Sequence, residues 1–529
     1  MQKVLTAAQM REVDRLTTER YGIPSIILME NAAHAVARAI TEKLGGSVKG
    51  KSILILCGPG NNGGDGAALA RVLWNQGAKV EALVMGDWRD SKDDAKTNFD
   101  LLSQLTGYVQ LISIDSHKSL IEHWQFIRAE RKLDVIVDAV FGTGLNRPLD
   151  ESYRSFLDIA RDYGLDVSSI PIIAIDIPSG LNSDGGEPSE CPLEADVTVT
   201  FTAPKPALVL PPANHECGEV IVADIGSPLS LITESKSQLF IAEKIDVSTW
   251  LWNSRFSDDS YKNKRGHTLI IAGSESYSGA AVLAGNAAVR SGVGLVTLAA
   301  PKECKAEVAS RLLPDVILTG IDTDSDSPEL LAKTDAIAVG CGLPATDPAI
   351  ERLVRTIVNT RKVPVVIDAG ALWFYSPFEA NKPNDSEHPL ILTPHEGEFM
   401  RLLGTDDKAA IKDRVVAVRE FATKHGVILV LKGERVLIGA PDGRVVVNPT
   451  GNSGLGKAGN GDTLTGILAG FIAQAAKMNI DIFETVVAAV YIAGMAGDIA
   501  EKKYGKRVMT ASDVRECLAD VFATFEEKR

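Results

Sequence analysis

The sequence predicts an α/β protein of two domains, each built on a parallel β-sheet that helices cover. Short β-branched runs alternate with helical patterns along nearly all of the 529 residues, which is the pattern of repeated βαβ units. The alternation lapses between about residues 226 and 265, where Ser, Asp, Asn and Lys surround isolated aromatic residues. A chain of this length holds two or three domains. We therefore expect one domain at residues 1–235 and another at residues 236–529.

The first domain begins with two predicted helices. Thr6 caps the first, since Gln9 stands at the capping-box spacing, and the second covers residues 25–44. Runs rich in Val and Ile then predict strands at residues 52–57, 79–85, 135–139, 172–177, 197–201 and 220–223.

The second domain repeats the strand–helix alternation and ends in helices. Its predicted strands are residues 268–272, 295–299, 336–339, 363–367, 390–392 and 427–431. A hairpin follows, with Pro441-Asp-Gly443 as its turn between residues 436–439 and 444–448, because Asp-Gly suits a tight hairpin turn. Predicted helices cover residues 463–475 and 483–504.

Composition excludes several classes of partner. A net charge of −14 disfavours nucleic acid and anionic membranes, which attract basic proteins. The six cysteines form no C-x-x-C pair, which is typical of reduced thiols rather than of a disulfide framework or zinc site. The N-terminus is too polar for a secretory signal, and no apolar run approaches the roughly 20 residues of a membrane span. We expect a soluble, cytoplasmic protein.

A glycine-rich stretch from Gly451 to Asp462, which opens an apolar helix, is the most informative motif. Backbone N–H groups at such a helix N-terminus bind anions such as phosphate. Asp462 would repel a passively bound anion, but it is well placed to take a proton from a hydroxyl that attacks phosphorus. The pattern therefore predicts phosphoryl transfer to an alcohol.

The same stretch resembles a P-loop only superficially. Gly451 to Lys457 satisfies G-x-x-x-x-G-K, but Ala458 stands where a P-loop needs a Ser or Thr to ligate magnesium. Pro449 also interrupts the strand that should feed the loop. We therefore reject a P-loop.

The first domain carries polar residues at three strand ends. Gly58, Gly60 and Gly63 follow the first strand in the G-x-G-x-x-G spacing of a dinucleotide-binding loop, so a nicotinamide-dependent dehydrogenase is an alternative. The bulk of the Asn61-Asn62 pair and the charge of Asp65, which would face a pyrophosphate, count against it.

Two other predicted strands of this domain end in an aspartate, Asp138 and Asp176. Strand ends of an open α/β sheet line one crevice, where ligands bind. Asn62, Asp138 and Ser179 would offer oxygen ligands for a simple cation, and the loop at residues 142–148 could enclose a phosphate or ribose.

These motifs resemble those of a known family, the NAD(P)H-hydrate repair enzymes. Asn61-Asn-Gly-Gly-Asp65, Asp138-Ala-Val-Phe-Gly-Thr-Gly and Asp176-Ile-Pro-Ser-Gly look like the NAD(P)H-hydrate epimerase, a Rossmann-like three-layer α/β/α domain. Thr393-Pro-His-Glu-Gly-Glu398, Lys432-Gly and Gly-Asn-Gly461-Asp462 look like the NAD(P)H-hydrate dehydratase, a ribokinase-like α/β/α domain.

The resemblance implies repair of NADH and NADPH that have gained water across the C5–C6 bond of the dihydronicotinamide. These hydrates, NADHX and NADPHX, occur as R and S epimers. The first domain would interconvert the epimers. The second would phosphorylate the hydroxyl of the S form with ADP or ATP and Mg²⁺ and eliminate phosphate. Domains of this kind often assemble, so we expect a homo-oligomer.

Family assignments fall on matching positions of the epimerase domain. Asp176 is the candidate acid/base catalyst, and Asn62, Asp138 and Ser179 would hold K⁺. The residues expected to bind the hydrate are Asn61, Asn62, Gly63, Gly64, Asp65, Gly142, Thr143, Gly144, Leu145, Asn146, Arg147, Pro148 and Asp176.

The dehydratase assignments also fall on matching positions. Gly342, His395 and Asp462 would bind the hydrate, with Asp462 as the catalytic base. The nucleotide would bind Lys432, Gly433, Glu434, Arg435, Val436 and Gly461. Glu396 and Glu398 either hold magnesium through water or are simply solvated. The chain departs from the family pattern at Gly340-Cys-Gly-Leu-Pro344, where Gly-Pro-Gly-Leu-Gly is usual.

Two alternatives to the repair enzyme stay open at this point. One is a ribokinase-type small-molecule kinase fused to a Rossmann-like reductase, and the other is such a kinase fused to a binding module. A kinase releases a phosphorylated product, whereas a dehydratase releases inorganic phosphate.

Overall fold

The chain folds into two compact units, Lys3–Ser237 and Gln238–Arg529, the second of which also includes Met1–Gln2. The computed structural model describes residues 1–105, 109–114, 119, 121–122, 133–144, 153, 170–186, 192–321, 331–381 and 387–526. Both units have an α/β fold with a mostly parallel sheet. The fold class expected from the sequence is confirmed.

Strand β1 (Gln2–Lys3) precedes the sheet of the first unit and joins the sheet of the second. The strands of the first unit are β2 (Ser52–Cys57), β3 (Lys79–Met85), β4 (Gln110–Ile114), β5 (Val135–Ala139), β6 (Ile172–Ile175), β7 (Val197–Phe201) and β8 (Glu219–Ala223). They pair in the order β4-β3-β2-β5-β6-β7-β8, all in parallel.

The helices of the first unit include both that the sequence predicts. Thr6 forms the expected capping box with Gln9, so the predicted start of the first helix is confirmed. The described helices are Ala7–Tyr21, Ser25–Lys43, Asn61–Asn75, Asp93–Ser103, Pro206–Val209 and Leu229–Glu234.

The sheet of the second unit is mostly parallel with an antiparallel strand inserted. Its further strands are β9 (Leu239–Ile241), β10 (His267–Ile271), β11 (Leu295–Pro301), β12 (Ile317–Ile321), β13 (Ala336–Val339), β14 (Val365–Ile367), β15 (Leu390–Leu392), β16 (Ile428–Leu431), β17 (Leu437–Gly439) and β18 (Val445–Val447). The order is β1-β9-β18-β17-β16-β15-β14-β13-β10-β11-β12. The predicted hairpin is confirmed as β17 and β18, which pair in antiparallel fashion.

Two helices of the second unit, Ser278–Arg290 and Asn460–Met478, pack closely against each other. A Cβ added at Gly466 would lie 2.1 Å from the carbonyl oxygen of Ala284, so only glycine lets these two helices approach. The described helices are Lys244–Asn253, Ser278–Arg290, Lys305–Ala309, Pro348–Asn359, Gly370–Trp373, Glu396–Leu403, Arg414–His425, Asn460–Met478, Ile482–Tyr504 and Ala511–Glu526.

Helix Ile482–Tyr504 corrects one expectation from the sequence. By length and composition alone, it is long and apolar enough to cross a membrane, although we expected no such segment. Within its most apolar stretch, 61% is buried in the structure, and Val487 and Ile492 belong to the hydrophobic core of the unit. Core packing therefore accounts for its apolar residues.

Candidate active sites

The candidate site of the first unit lies at the carboxyl ends of β2, β5 and β6. Strand β2 lies between β3 and β5. The chain adds β3 and β4 on one side of β2 and then β5 to β8 on the other side. Such a switch point opens a crevice between neighbouring loops. The loops that begin at Gly58, Asp138 and Asp176 meet there.

Two glycines bring the first of these loops into backbone contact with its neighbours. A Cβ at Gly58 would lie 2.2 Å from the carbonyl oxygen of Val140, and one at Gly63 would lie 1.8 Å from that of Gly58. Real Cβ atoms do not approach so closely, so both positions require glycine. This packing places Asn62 and Asp65 on the first turns of helix Asn61–Asn75.

Asp138 and Ser179 form one buried hydrogen-bonded pair. Oδ1 of Asp138 accepts from the Ser179 hydroxyl at 2.6 Å, and Oδ2 accepts from the Ser179 backbone N–H at 2.7 Å. Burial raises the pKa of Asp138 to about 6, because a low-dielectric site disfavours the charge. The hydrogen bonds lower the pKa but do not outweigh burial. A cation held by this carboxylate would counter that penalty.

Asn62 lies beside Gly142 and faces the same pocket. Its Oδ1 is 3.0 Å from where a Cβ of Gly142 would stand, and Oδ2 of Asp176 is 2.9 Å from the same point. The buried Nδ2 of Asn62 has no hydrogen-bond partner among the described residues. Buried polar groups are normally paired, so this amide points to a ligand.

Asp176 is held by three hydrogen-bond donors to its carboxylate. Its backbone has a φ of +67°, which is strained for a residue other than glycine. Oδ2 accepts from the N–H of Thr143 at 3.0 Å, whereas Oδ1 accepts from the ammonium of Lys205 at 2.7 Å and from the hydroxyl of Thr200 at 3.2 Å.

Asp65 adds a second carboxyl whose pKa is shifted. Burial, and then the charges of Asp176 and Asp14, raise its pKa well above the ordinary value. Neighbouring carboxyls whose surroundings push their pKa values apart are typical of acid/base sites. Of the predicted hydrate-binding loop, Gly142, Thr143 and Gly144 are described, while Leu145, Asn146, Arg147 and Pro148 lie outside the described residues.

The candidate site of the second unit also lies at a switch point, between β10 and β13. The segments after β13, β14, β15 and β16 converge there with the N-terminus of helix Asn460–Met478. Gly342 has a φ of +68°, and a Cβ on it would lie 2.8 Å from the carbonyl oxygen of Tyr277. Gly342 therefore packs the segment after β13 against the segment after β10.

A buried ion pair stands at the centre of this site. Nζ of Lys432 donates to Oδ1 of Asp368 at 2.8 Å and lies 3.9 Å from Oε2 of Glu398. The hydroxyl of Thr465 donates to Oδ2 of Asp368 at 2.8 Å. Burial works against both charges, but the pairing outweighs it, raising the pKa of Lys432 and lowering that of Asp368.

Asp462 lies next to this pair. One ligand-type atom each of Cys341, Asp368 and Asp462 lies within 4.8 Å of the others. Burial, followed by the negative charge of Asp368, raises the pKa of Asp462 to about 6. A carboxylate whose pKa lies close to neutral is suited to act as a general base. The thiol of Cys341 stays protonated, because burial raises its pKa well above the ordinary value.

His395 and Lys432 are neighbours on adjacent segments, joined by a parallel β-bridge. His395 caps helix Glu396–Leu403: its Nδ1 accepts from the N–H of Glu398, whose carboxylate accepts from the His395 backbone at 2.8 Å. The ring is 57% exposed and can meet a ligand. Glu398 is thus a capping residue.

The predicted nucleotide-binding segment is fastened by Arg414. This guanidinium donates to the carbonyl oxygen of Glu434 at 2.6 Å and lies 3.2 Å from Oε1 of Glu396. A Cβ on Gly433 would lie 2.7 Å from Nη2 of Arg414. Arg435 donates to the carbonyl oxygen of Pro449.

Of the two remaining predicted residues, Val436 pairs with Asn448 and Gly461 lies beside the ion pair. Val436 begins the approach to β17, and its carbonyl oxygen accepts from the backbone N–H of Asn448 at 2.9 Å. Gly461 lies against the ammonium of Lys432, since its added Cβ would be 3.5 Å from Nζ.

Sequence reasoning missed Asp368 and Lys205. Asp368 directly follows β14, as Asp138 and Asp176 follow apolar runs in the first unit, so the same pattern could have identified it. Lys205 stands between two prolines, and no motif marks it.

Together, the two sheets and their strand-end carboxylates define a two-unit α/β enzyme. The family model described as NAD(P)H-hydrate dehydratase matches residues 268–519, and that described as YjeF-related protein N-terminus matches residues 25–207.

Curated relatives align with nearly the whole chain. The bifunctional NAD(P)H-hydrate repair enzyme Nnr of Moorella thermoacetica is 36% identical over 99% of this chain and 97% of its own length. The bifunctional NAD(P)H-hydrate repair enzyme Nnr of Salinibacter ruber is 33% identical over 98% of this chain and 96% of its own length. The chain belongs to the family of bifunctional NAD(P)H-hydrate repair enzymes.

A solved structure resembles the second unit. The ADP/ATP-dependent NAD(P)H-hydrate dehydratase from Bacillus subtilis, co-crystallised with ATP and Mg²⁺, is 31% identical with a TM-score of 0.48, and the match covers 54% of this chain and 98% of that one.

Proposed function

We propose that this chain repairs hydrated nicotinamide nucleotides by two activities. The first unit interconverts the R and S epimers of NADHX and NADPHX, and the second dehydrates the S epimer at the expense of ADP or ATP. The observation that carries the proposal is one chain with two separate strand-end carboxylate sites, aligned over 99% of its length with a repair enzyme of both activities.

Epimerisation at C6 requires the hydroxyl to leave and return on the other face of the ring. The lone pair of the ring nitrogen drives its departure, and a carboxyl must deliver and recover a proton. Asp176 is the proposed acid/base group, because its Oδ2 lies beside Gly142 and Thr143 of the proposed hydrate-binding loop. Asp65, whose pKa is raised, stands close enough to interact with it electrostatically.

The first unit has a donor set that fits K⁺. The buried carboxylate of Asp138, the hydroxyl of Ser179 and the side-chain oxygen of Asn62 are hard oxygen donors, which suit a simple cation. These three residues would hold the ion. Its charge would fix the loop around Asp138 and stabilise that buried carboxylate.

In the second unit, Asp462 is the proposed base that takes the proton from the C6 hydroxyl of S-NAD(P)HX. The hydroxyl oxygen then attacks the terminal phosphorus of the nucleotide, whose bridging P–O bond breaks to release AMP from ADP or ADP from ATP. The C6–O bond breaks with phosphate as the leaving group, and loss of the C5 proton restores the C5–C6 double bond. Gly342 and His395 are the proposed contacts to the hydrate.

The nucleotide is proposed to bind at residues 432–436 and Gly461. Gly461 lies on the first turn of helix Asn460–Met478, where backbone N–H groups favour phosphate. Mg²⁺ commonly reaches proteins through nucleotide phosphates and water. Glu396, whose side chain is half exposed, fits such a water-mediated contact better than the capping residue Glu398. The ion would neutralise phosphate charge.

The test is the recovery of dihydronicotinamide absorbance from a mixture of R- and S-NADHX, with ADP or ATP, Mg²⁺ and K⁺. Complete recovery in two phases supports both activities, since a dehydratase alone stops when the S epimer is consumed. Recovery limited to the S fraction contradicts the epimerase, and formation of a stable phosphorylated product contradicts the dehydratase.

A cytoplasmic location and a homo-oligomeric state complete the proposal. The five described cysteines are all buried free thiols, which suits a reducing compartment. Cell fractionation tests the first statement, and sedimentation of the purified chain tests the second.

A further inference from the structure

A buried lysine lies behind the proposed epimerase site. Lys205 is 1% exposed and stands between Pro204 and Pro206, just after strand β7. Its ammonium donates to Oδ1 of Asp176 at 2.7 Å, to the hydroxyl of Thr200 at 2.7 Å and to a backbone carbonyl at 3.0 Å. All three of its protons are therefore used.

The pair that Lys205 forms is not explained by stability. A buried ion pair gains little over apolar residues of the same volume, because both charges lose their hydration. The backbone of Asp176 is in addition held at a φ of +67°, and strain of this kind clusters at functional sites.

Lys205 makes the two oxygens of the Asp176 carboxylate unequal. Oδ1 is bound on the protein side by Lys205 and Thr200. Oδ2 accepts the N–H of Thr143 at 3.0 Å and lies 2.9 Å from where a Cβ of Gly142 would stand. The carboxylate thus cannot rotate without breaking charged contacts, and only Oδ2 is turned toward the proposed hydrate-binding loop.

Other charges of the pocket strengthen the argument. The carboxyls of Asp65 and Asp14 both interact with Asp176, and Asp14 also interacts with Lys205. Asp14 of helix Ala7–Tyr21 and Asp176 after β6 thus share the field of one ammonium. Removal of that ammonium would leave these two carboxyls to repel each other.

We propose that Lys205 is a positioning residue for epimerisation: its ammonium, with the hydroxyl of Thr200, fixes Oδ1 of Asp176, so that Oδ2 is the oxygen that exchanges the proton with the hydrate. This inference rests on the proposed epimerase activity of the first unit. Lys205 itself does not touch the substrate.

The test compares Lys205→Met, Asp176→Asn and the double variant in the full chain. The matched control is Lys51→Met, which removes a half-exposed lysine paired with Asp134 at 3.1 Å in the same unit. The slow phase of NADH recovery from R-NADHX gives kcat and KM for epimerisation, and the fast phase from S-NADHX reports the second unit.

We expect Lys205→Met to lower kcat for epimerisation about 100-fold, because a misplaced catalytic group costs that much, with KM little changed. The double variant should be no slower than Asp176→Asn, since Lys205 acts through that carboxylate. Lys51→Met should behave as wild type. Three results would overturn the inference: a wild-type kcat in Lys205→Met, a change in KM without a change in kcat, or a fold-decrease in kcat of the double variant equal to the product of the two single decreases.

A second variant covers loss of folding. Thr200→Val keeps the shape of the side chain but removes the hydroxyl that links Lys205 to Asp176, and we expect a kcat about tenfold lower at an unchanged melting temperature. Unchanged kcat in Thr200→Val overturns the inference if Lys205→Met does not fold. A wild-type chain that shows no slow phase would instead refute the epimerase activity itself, and this inference with it.

Discussion

Gly142 and Gly144 offer a sharp test of the epimerase site, because they lie on one loop and differ in a single respect. A Cβ at Gly142 would stand 2.9 Å from Oδ2 of Asp176 and 3.0 Å from Oδ1 of Asn62, whereas a Cβ at Gly144 would have no atom of the described residues within 4 Å. Neither glycine has a positive φ. Substitution by alanine therefore adds only bulk, without backbone strain.

The expected effect of Gly142→Ala follows from the overlap. Ordinary contact begins near 3.4 Å, so the methyl group must displace the carboxylate of Asp176 or the amide of Asn62 by about half an ångström. Misplacement on the order of 1 Å costs about 100-fold in rate, so we expect epimerisation to slow by about 10- to 100-fold. This is equivalent to about 1.4 to 2.7 kcal/mol of activation free energy.

Biphasic recovery of NADH from mixed R/S-NADHX measures this effect within one sample. In Gly142→Ala the fast phase, which consumes the S epimer, should keep its rate and amplitude, while the slow phase should lengthen. Gly144→Ala, which leaves Asp176 and Asn62 undisturbed, should lengthen the slow phase less than Gly142→Ala does. Equal slow phases in the two variants would show that Asp176 and Asn62 do not act at this point of the pocket.

The second unit gives three further predictions. Asp462→Asn should lower kcat for dehydration by about 100-fold or more, while chromatography of the epimers should show intact epimerisation. In the wild type, kcat/KM for dehydration should rise with pH through about 6, since only ionised Asp462 accepts a proton. A rise that is complete below pH 5 contradicts this role. Gly461→Ala adds a methyl group 3.5 Å from Nζ of Lys432, an ordinary contact distance, where the nucleotide is proposed to bind. The KM for the nucleotide should therefore increase about tenfold at an unchanged melting temperature. An unchanged KM excludes close approach of the nucleotide to Gly461. Asp368→Asn removes the charged partner of Lys432 and should reduce the free energy of unfolding, measured in urea, by about 3 kcal/mol. The control Asp520→Asn breaks an exposed pair with Lys503 and should cost less than about 1 kcal/mol. Equal losses of unfolding free energy in the two variants would refute the importance of the Lys432–Asp368 pair.

The strands that the sequence predicts are those with continuous apolar runs. Central strands such as Val135–Ala139 and Ala336–Val339 are buried on both faces, and such strands read as unbroken hydrophobic segments. Four strands were missed: Gln2–Lys3, Gln110–Ile114, Leu239–Ile241 and Ile317–Ile321. Each lies at a sheet edge or next to one, and each is mostly only half buried. Their mixed residues carry no comparable signal.

The candidate sites divide in the same way. Asp138, Asp176 and Asp462 were accessible to sequence reasoning because local patterns mark strand ends and helix starts. Lys205 was not, because it meets Asp176 only through the pairing of β6 with β7, across 29 positions of the chain. Contacts of this kind depend on strand register, which a motif does not encode.

The β-bridge between His395 and Lys432 connects the two proposed substrate-binding segments of the second unit. The backbone N–H of Lys432 donates to the carbonyl oxygen of Pro394 at 2.8 Å, so a shift of one segment is transmitted to the other. A nucleotide that orders residues 432–436 would thereby order His395 before the hydrate arrives. Thermodynamic linkage then requires the reverse effect of equal size: the hydrate must tighten nucleotide binding by the same factor, so the enzyme would engage its two substrates synergistically rather than independently.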